Sequence, residues 1–328
     1  MGNDYSNNFF ANFNYSFKLN IYFSKESVYG PWGGAAKFIY SFSNKLTSLG
    51  HNVLYNLCDK IDIIICFDPR INAKGVGYFD LIEYRKNNSN VKIIQRIGDL
   101  GTHSKPELTN LVKKSVYLSD FVIFPSNWAK DFIDYNNQNY SIIRNRSSNI
   151  FYKFRNSSLI YKKNLYNIVT HHWSDNPKKG FKLYNELDSW CNKNNNYKFS
   201  YIGRVPNTIK FSNYISPIAN ENLAAALSKN DLYVSASEEE AGANHVLEAL
   251  AIGLPVLYHK NGGSIIEYCD KFGVEHDGTI DDLIKKIELI TFNFAFYKNK
   301  ALCYSESIDD TINEYINIIE YIMQNARN

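Results

Sequence analysis

The stretch SEEEAGANHVLEALAIGLPV, residues 237–256, places two glutamates, Glu240 and Glu248, on either side of a helix start. Val246, Leu247, Leu250 and Ala251 fall on one stripe at helical spacing, which predicts a face turned to a core. Glu248 lies off that stripe, with Asn244 and His245 one turn earlier on the same polar side. Gly253 suits the left-handed position past a helix end, and Pro255 prevents continuation. Gly242 and Ala243 carry little side chain, so the loop could approach a ligand closely. The N–H groups of a helix start favour an anion. A carboxylate accepts well from vicinal hydroxyls. Two carboxylates flanking an anion-binding helix start therefore suit a ligand with hydroxyls at both ends and phosphates between, such as a nucleotide sugar. The residue types alone equally allow two solvated surface acids.

The elements that would position these residues alternate along the chain. KLNIYFS, NVLYNL, IDIIICF, VKIIQRI, FVIFP and YSIIRN read as strands in the first half. Helices are expected at about 35–49, 106–118 and 126–135. Apolar β-rich runs separated by helices predict buried parallel strands in βα units. The stretch 144–164 is basic, rich in Ser and Asn and poorly periodic. It reads as a solvated interdomain connection, although its charges could meet a phosphate. The alternation then restarts with YNIVTHH, GFKLYNELDSWC, KFSYIG, NENLAAALSK, DLYVSAS, PVLYH and SIIEYC. Residues 305–328 form one amphipathic helical pattern. The expected architecture is α/β, with two Rossmann-like domains, residues 1–150 and 164–304, facing across a cleft. Ligands of such sheets sit at the carboxyl ends of the strands. KGVGYF has two glycines of a dinucleotide fingerprint but no clear strand-to-helix turn before them, which disfavours a nicotinamide dehydrogenase.

The 328 residues suffice for one large or two ordinary domains, and the formal charge of +3 is small for that length. No dedicated nucleic-acid or membrane surface is implied. The five cysteines, Cys58, Cys66, Cys191, Cys269 and Cys303, stand singly, which suits free thiols in a reducing, cytoplasmic setting. The opening has no basic segment ahead of an apolar one, so it does not read as a secretory signal. No apolar run approaches a transmembrane length. Gly2 and Ser6 fit the loose myristoylation pattern.

The stretch SASEEEAGANHVLEALAIGLPVLYHKNGGSIIEY resembles the glutamate–seven–glutamate signature of family 4 retaining glycosyltransferases, which have the GT-B fold. The matching residues are Glu240, Gly242, Glu248 to Ala251, Gly253, Pro255, Val256, Gly262, Gly263 and Glu267. The likeness extends to GPWGGAAKFIYSFSNKLTSLGHNVLYNL, SDFVIFPSNWAKDFI and NIVTHHWSDNPKKGF, and to FSYIGRVPN and IKFSNYISP, which resemble the family's next two strands. It implies a donor domain in the second half, an acceptor side in the first, and a terminal helix that crosses back. It also implies retention of anomeric configuration, a carbohydrate or other hydroxyl acceptor, and no metal or other cofactor.

Carried over by residue, the resemblance implies that Gly33 and Gly34 approach the donor diphosphate and that Lys179 neutralises it. Glu248 would take the ribose hydroxyls and Glu240 the transferred sugar. Gly242, Ala243, Asn244 and His245 would line the diphosphate or sugar, with Ser174 and Asn176 on the facing turn. The family carries an Arg where Ser174 stands, and Arg204, His171 or His172 could supply the missing charge. Glycine follows Glu240 at the second position rather than the third, and the first half is short. Asp99 and His103, in RIGDLGTHSK, are candidates to face sugar or acceptor beside Glu240 and Lys179 as catalytic residues; a plain turn explains Asp99 as well. Adjacent His171 and His172 point to opposite faces of a strand, and no ligand spacing for a metal follows them. Two other readings stay open: a degenerate module that only binds nucleotide sugars, and an epimerase- or phosphorylase-like enzyme.

Overall fold

A computed structural model describes residues 18–26, 34–58, 60–155, 157 and 163–325. Gly2, Ser6 and Gly33 lie outside the described residues. The first half contains strands β1 (Asn20–Phe23), β2 (Asn52–Leu54), β3 (Ile63–Cys66), β4 (Lys92–Arg96), β5 (Phe121–Phe124) and β6 (Tyr140–Ile142). Its helices are α1 (Gly34–Ser48), α2 (Tyr78–Asn87), α3 (Pro106–Leu118), α4 (Asn127–Ile133) and α5 (Asn149–Lys153). The second half contains β7 (Tyr166–His172), β8 (Tyr197–Gly203), β9 (Tyr214–Ile215), β10 (Leu232–Ser235), β11 (Val256–His259) and β12 (Val274–His276). Around it run α6 (Phe181–Cys191), α7 (Asn220–Leu227), α8 (Asn244–Ile252), α9 (Ser264–Cys269), α10 (Ile280–Phe292), α11 (Phe294–Leu302) and α12 (Ile308–Asn325).

The strands make two all-parallel six-stranded sheets, ordered β2-β1-β3-β4-β5-β6 and β12-β11-β10-β7-β8-β9. Central strands such as β3, β5 and β10 are buried along their whole length, as parallel strands covered on both faces must be. Helix α12 returns to the first sheet. Its Ile312, Tyr315, Ile316, Ile319 and Ile322 pack into the same core as Phe38 and Phe42 of α1. Each such side chain contributes about 1.5–3 kcal/mol on burial.

Three features depart from the sequence reading. The region 270–304, unassigned above, supplies β12, α10 and α11. The strand expected at IKFSNYISP shrinks to the two residues of β9. The basic stretch after β6 is not a solvated linker over its described part. Arg146 pairs with Glu306 at 3.2 Å and Glu314 at 2.6 Å. Helix α5 buries Phe151 in the core of the second half.

Arg155 bonds the carbonyls of Ala251 at 2.9 Å, Leu250 at 3.4 Å and Leu302 at 3.2 Å, and also that of Tyr304. A cation there complements the negative end of α8, the helix that carries Glu248. Replacing Arg155 with Met strands these carbonyls and is expected to cost about 2–6 kcal/mol, four lost hydrogen bonds at about 0.5–1.5 kcal/mol each. Urea denaturation at constant slope checks it.

Candidate active site

Strand β10 delivers the acid loop. The Ala236 N–H donates to the Tyr184 hydroxyl at 2.8 Å, which pins the strand's exit. The backbone then pairs with the turn before α9. Glu240 N donates to Gly262 O at 3.2 Å, and Ser264 N donates to Glu240 O at 2.8 Å. Gly263 has φ +68°, and a Cβ there would lie 2.6 Å from the Glu240 carbonyl oxygen. A side chain at Gly263 would push the acid loop away.

Lys179 ends a 3-10 turn, Pro177–Lys179, capped by Asn176, whose side chain accepts from Lys178 N at 3.0 Å. Gly180 follows with φ +86°, and its missing Cβ would sit 2.3 Å from Ala236 Cβ. That close approach sets the Lys179 ammonium on the Glu240 carboxylate as an ion pair, with both side chains 13% exposed. Lys178 pairs with Glu239 beside them. Burial alone would raise the Glu240 pKa, but Lys179, helped by the nearby His245 and His103, holds it at about 2.

Glu248 is enclosed, contrary to the expectation of a carboxylate on a polar face. Helix α8 is buried all round from His245 to Ile252. Glu248 accepts from Lys37 Nζ of α1 at 3.1 Å and from His171 Nε2 at 2.8 Å. The Tyr233 hydroxyl sits 3.1 Å from the other ring nitrogen of His171. Burial opposes ionisation here too, and Lys37 and His171 overcome it to hold Glu248 at about 2.

Two cavities flank the turn Gly242–Asn244. The larger, about 210 Å³, is lined by Asp99, His103, Ser174, Asn176, Lys179, Glu240 and Gly242, among others. The smaller holds about 20 Å³ and is lined by Lys37, Arg96, Asn145, Asn244 and Glu248, among others. That is about the space of one water. The structure thus gathers most of the sequence-derived residues, but several in unexpected roles. Gly242 approaches the other half of the chain: a Cβ there would lie 2.7 Å from Asn145 Nδ2 and 3.0 Å from Pro125 Cβ. The Ala243 N–H already donates to Ser264 Oγ at 3.1 Å. His245 points into the sheet, bonds Ser235 Oγ at 2.8 Å, and lines neither cavity. Burial lowers its pKa to about 3. Arg204 is exposed past β8 and lines neither cavity.

Asp99 and His103 tie the halves together or are held locally. His103 Nε2 donates to the Glu238 carbonyl at 3.0 Å, and Asn176 Nδ2 donates to the His103 carbonyl at 3.1 Å. Asp99 accepts from Lys105 Nζ at 2.7 Å and from Gly101 N at 2.9 Å. Burial would raise the Asp99 carboxyl, but these donors and Arg70 hold it below the usual range. His171 and His172 do face opposite ways, His171 to Glu248 and His172 to the Tyr184 hydroxyl at 2.8 Å.

Sequence reasoning missed Lys37, whose one signal is an ammonium one turn into the helix after Gly33-Gly34. It also left Glu267 without a role. That carboxylate reaches across the interface and accepts from Trp128 N at 2.7 Å and Asn127 N at 3.1 Å, capping α4 of the other half. Tyr268 adds a hydroxyl bond to Pro125 O at 2.6 Å. Among the described residues, no group of three or more His, Cys, Asp or Glu is placed to hold a metal ion, and no helix is long and apolar enough to cross a membrane.

No family model and no curated protein matches this sequence. Solved structures do match in fold. A sucrose-phosphate synthase from Thermosynechococcus elongatus is 11% identical, with TM-score 0.67 over 94% of this chain and 100% of its own. Anabaena HepE in complex with UDP-glucose is 14% identical, with TM-score 0.67 over 93% of this chain and 100% of its own. The catalytic domain of Arabidopsis thaliana starch synthase IV, bound to ADP and acarbose, is 12% identical, with TM-score 0.66 over 94% and 100%. The fold of this chain is GT-B: two facing parallel α/β sheets, with the site between them at the strands' carboxyl ends.

Proposed function

We propose that this chain is a retaining glycosyltransferase that moves a sugar from a nucleotide-sugar donor to a hydroxyl acceptor without a metal ion. One observation carries the reading: two ionised carboxylates, the largely enclosed Glu240 and the buried Glu248, flank the start of α8, each paired with an ammonium. The GT-B fold supports it by placing that helix start in the interdomain cleft. In this reading Glu240 accepts from hydroxyls of the transferred sugar, and Lys179 meets the leaving diphosphate. Glu248 accepts from the ribose. The acceptor enters past Asp99 and His103. The catalytic effect is electrostatic: charge building on the leaving diphosphate meets Lys179 and the amides of the α8 first turn. Closure of the two halves excludes water that would hydrolyse the donor. We place the enzyme in the cytoplasm, with no nucleic acid among its partners.

A thermal-shift screen against nucleoside diphosphates and nucleotide sugars tests the donor site. A ligand at 100 times its dissociation constant stabilises by about 2.7 kcal/mol. One base is expected to raise the melting temperature, and Glu248→Ala to abolish the rise. No shift with any nucleotide would sink the reading. Turnover is expected to survive EDTA. A second reading, binding without transfer, draws on Ser174 standing where the family carries Arg. Donor binding with no sugar release in the presence of acceptors would select it. Donor turnover in the absence of any acceptor would point instead to an epimerase- or phosphorylase-like reaction.

A further inference from the structure

We propose that Lys37 is a ligand for the donor diphosphate, held on Glu248 until a nucleotide sugar takes its place. The inference rests on the reading just given and adds to it a phosphate-binding residue from the first half of the chain.

Three observations carry it. The first is space. The cavity at Glu248 holds about 20 Å³, and both carboxylate oxygens are engaged, one by Lys37 and one by His171. No ribose reaches Glu248 while the Lys37 ammonium stays. The second is charge. Ser174 supplies no cation, and of the two lysines lining the larger cavity Lys105 is held by Asp99, which leaves Lys179, once it exchanges Glu240 for phosphate, as one ammonium for two phosphates. A diphosphate arriving there needs a further cation. The third is placement. Lys37 stands one turn into α1, immediately after the Gly33-Gly34 pair, and its Nζ lies 5.2 Å from the Phe151 ring centroid. Its side chain is 19% exposed, so it can swing without unpacking the core.

These observations describe an exchange of partners. The empty site holds two ammonium–carboxylate pairs, Lys179 with Glu240 and Lys37 with Glu248. A nucleotide sugar brings hydroxyls at both ends and negative charge in the middle. Each carboxylate trades an ammonium for hydroxyls, and each ammonium trades a carboxylate for phosphate. Every buried charge keeps a partner, which matters because an unpaired buried charge is costly. A nucleoside brings the ribose without the phosphate. It would displace Lys37 and leave the ammonium with no partner. The site should therefore select for the diphosphate far more strongly than surface attraction would.

The test is calorimetric titration of uridine, adenosine and guanosine and of their diphosphates into the wild type, Lys37→Met and Lys37→Arg. The wild type is expected to bind one diphosphate at least about 100-fold tighter than its nucleoside, a floor under the about 10⁴–10⁵ by which a site rejects a ligand that leaves its polar groups unpaired. In Lys37→Met that ratio should fall at least about tenfold, the effect of one charge-assisted contact. Nucleoside affinity should hold or rise, because Glu248 is no longer occupied. Lys37→Arg should restore most of the ratio. The double variant Lys37→Met with Glu248→Gln removes the stranded carboxylate and must show the same fall, which separates the effect from poor folding. An unchanged ratio in Lys37→Met, or equal weakening of nucleoside and diphosphate, overturns the inference while leaving the donor site standing. A wild type that binds none of the six compounds overturns both.

Discussion

Glu240→Gln is expected to lower kcat/KM for sugar transfer by about 10²–10³, the range lost when one preorganised electrostatic contact is removed. Gln keeps the shape and loses the charge. In the proposed reading Glu240 faces the sugar where positive character develops at the reacting carbon, so the loss should fall mainly on kcat. Nucleoside diphosphate binding should be preserved or tighter, since Lys179 no longer has a competing carboxylate. Steady-state kinetics together with diphosphate titration make the check. Equal loss of both would assign Glu240 a structural role. The substitution also leaves the largely enclosed Lys179 ammonium without its partner, which destabilises the fold. Melting curves must therefore show a folded variant at the assay temperature.

Acid is expected to unfold the protein well above the range where carboxylates titrate. Burial lowers His245 from 6.5 to about 3, and His276 from 6.5 to about 4. Burial also pushes His172 well below 6.5. The charged groups around them do not reverse this. His245 faces Glu240 and Glu248 but also Lys179 and His171, and His172 faces His245, Lys179, His171 and His103. His276 faces Asp277, Asp282 and His259. The native state keeps these rings neutral, while the unfolded chain protonates them below pH 6.5. The unfolded state then binds more protons, so stability falls as pH drops from 6.5 toward the folded values. At about 1.4 kcal/mol per pKa unit, His245 and His276 each cost about 2 kcal/mol at pH 5. Together they cost about 4 kcal/mol, a large part of the whole stability of a native domain, and His172 acts in the same direction. Glu240 and Glu248, held near 2 against 4.5 when unperturbed, act in the same direction below about pH 4.5. Denaturation at pH 7.5 and pH 5 measures the difference. His276→Gln, which can keep the bond to the Ser235 carbonyl, should remove about 2 kcal/mol of it. A stability unchanged between the two pH values would contradict the neutral burial of these rings.

Much of the fold was legible because its signals are local. Strand runs such as IIIC and FVIF are continuously apolar, and continuous burial is what a covered parallel sheet demands. Gly253 stops α8 in the left-handed conformation at φ +84°. Residues 144–155 were misread because their order comes from partners far along the chain. Arg146 reads as a solvated charge until Glu306 and Glu314 arrive, and Arg155 until the end of α8 does. The candidate site was legible in part for the same reason. Glu240 and Glu248 share one short segment, and the turn that holds Lys179 carries its own Asn cap and glycine. What those side chains touch was not legible.

Residue types and spacing by themselves determined two sets of parallel βα units, a short stopped helix with an acid before it and an acid within it, and a lysine–glycine turn to face them. Only the tertiary structure decided that both acids would be paired with ammonium groups and that Glu248 would be buried. Lys37 and Glu248 stand 211 residues apart. Nothing in the neighbourhood of either residue specifies the other, because an ion pair between two sheets is set by how the sheets meet. That meeting depends on contacts spread along the whole interface, from Glu267 on the start of α4 to Asn145 on the Gly242 carbonyl. Periodicity governs each element alone, whereas partnership across a cleft is a property of the packed whole.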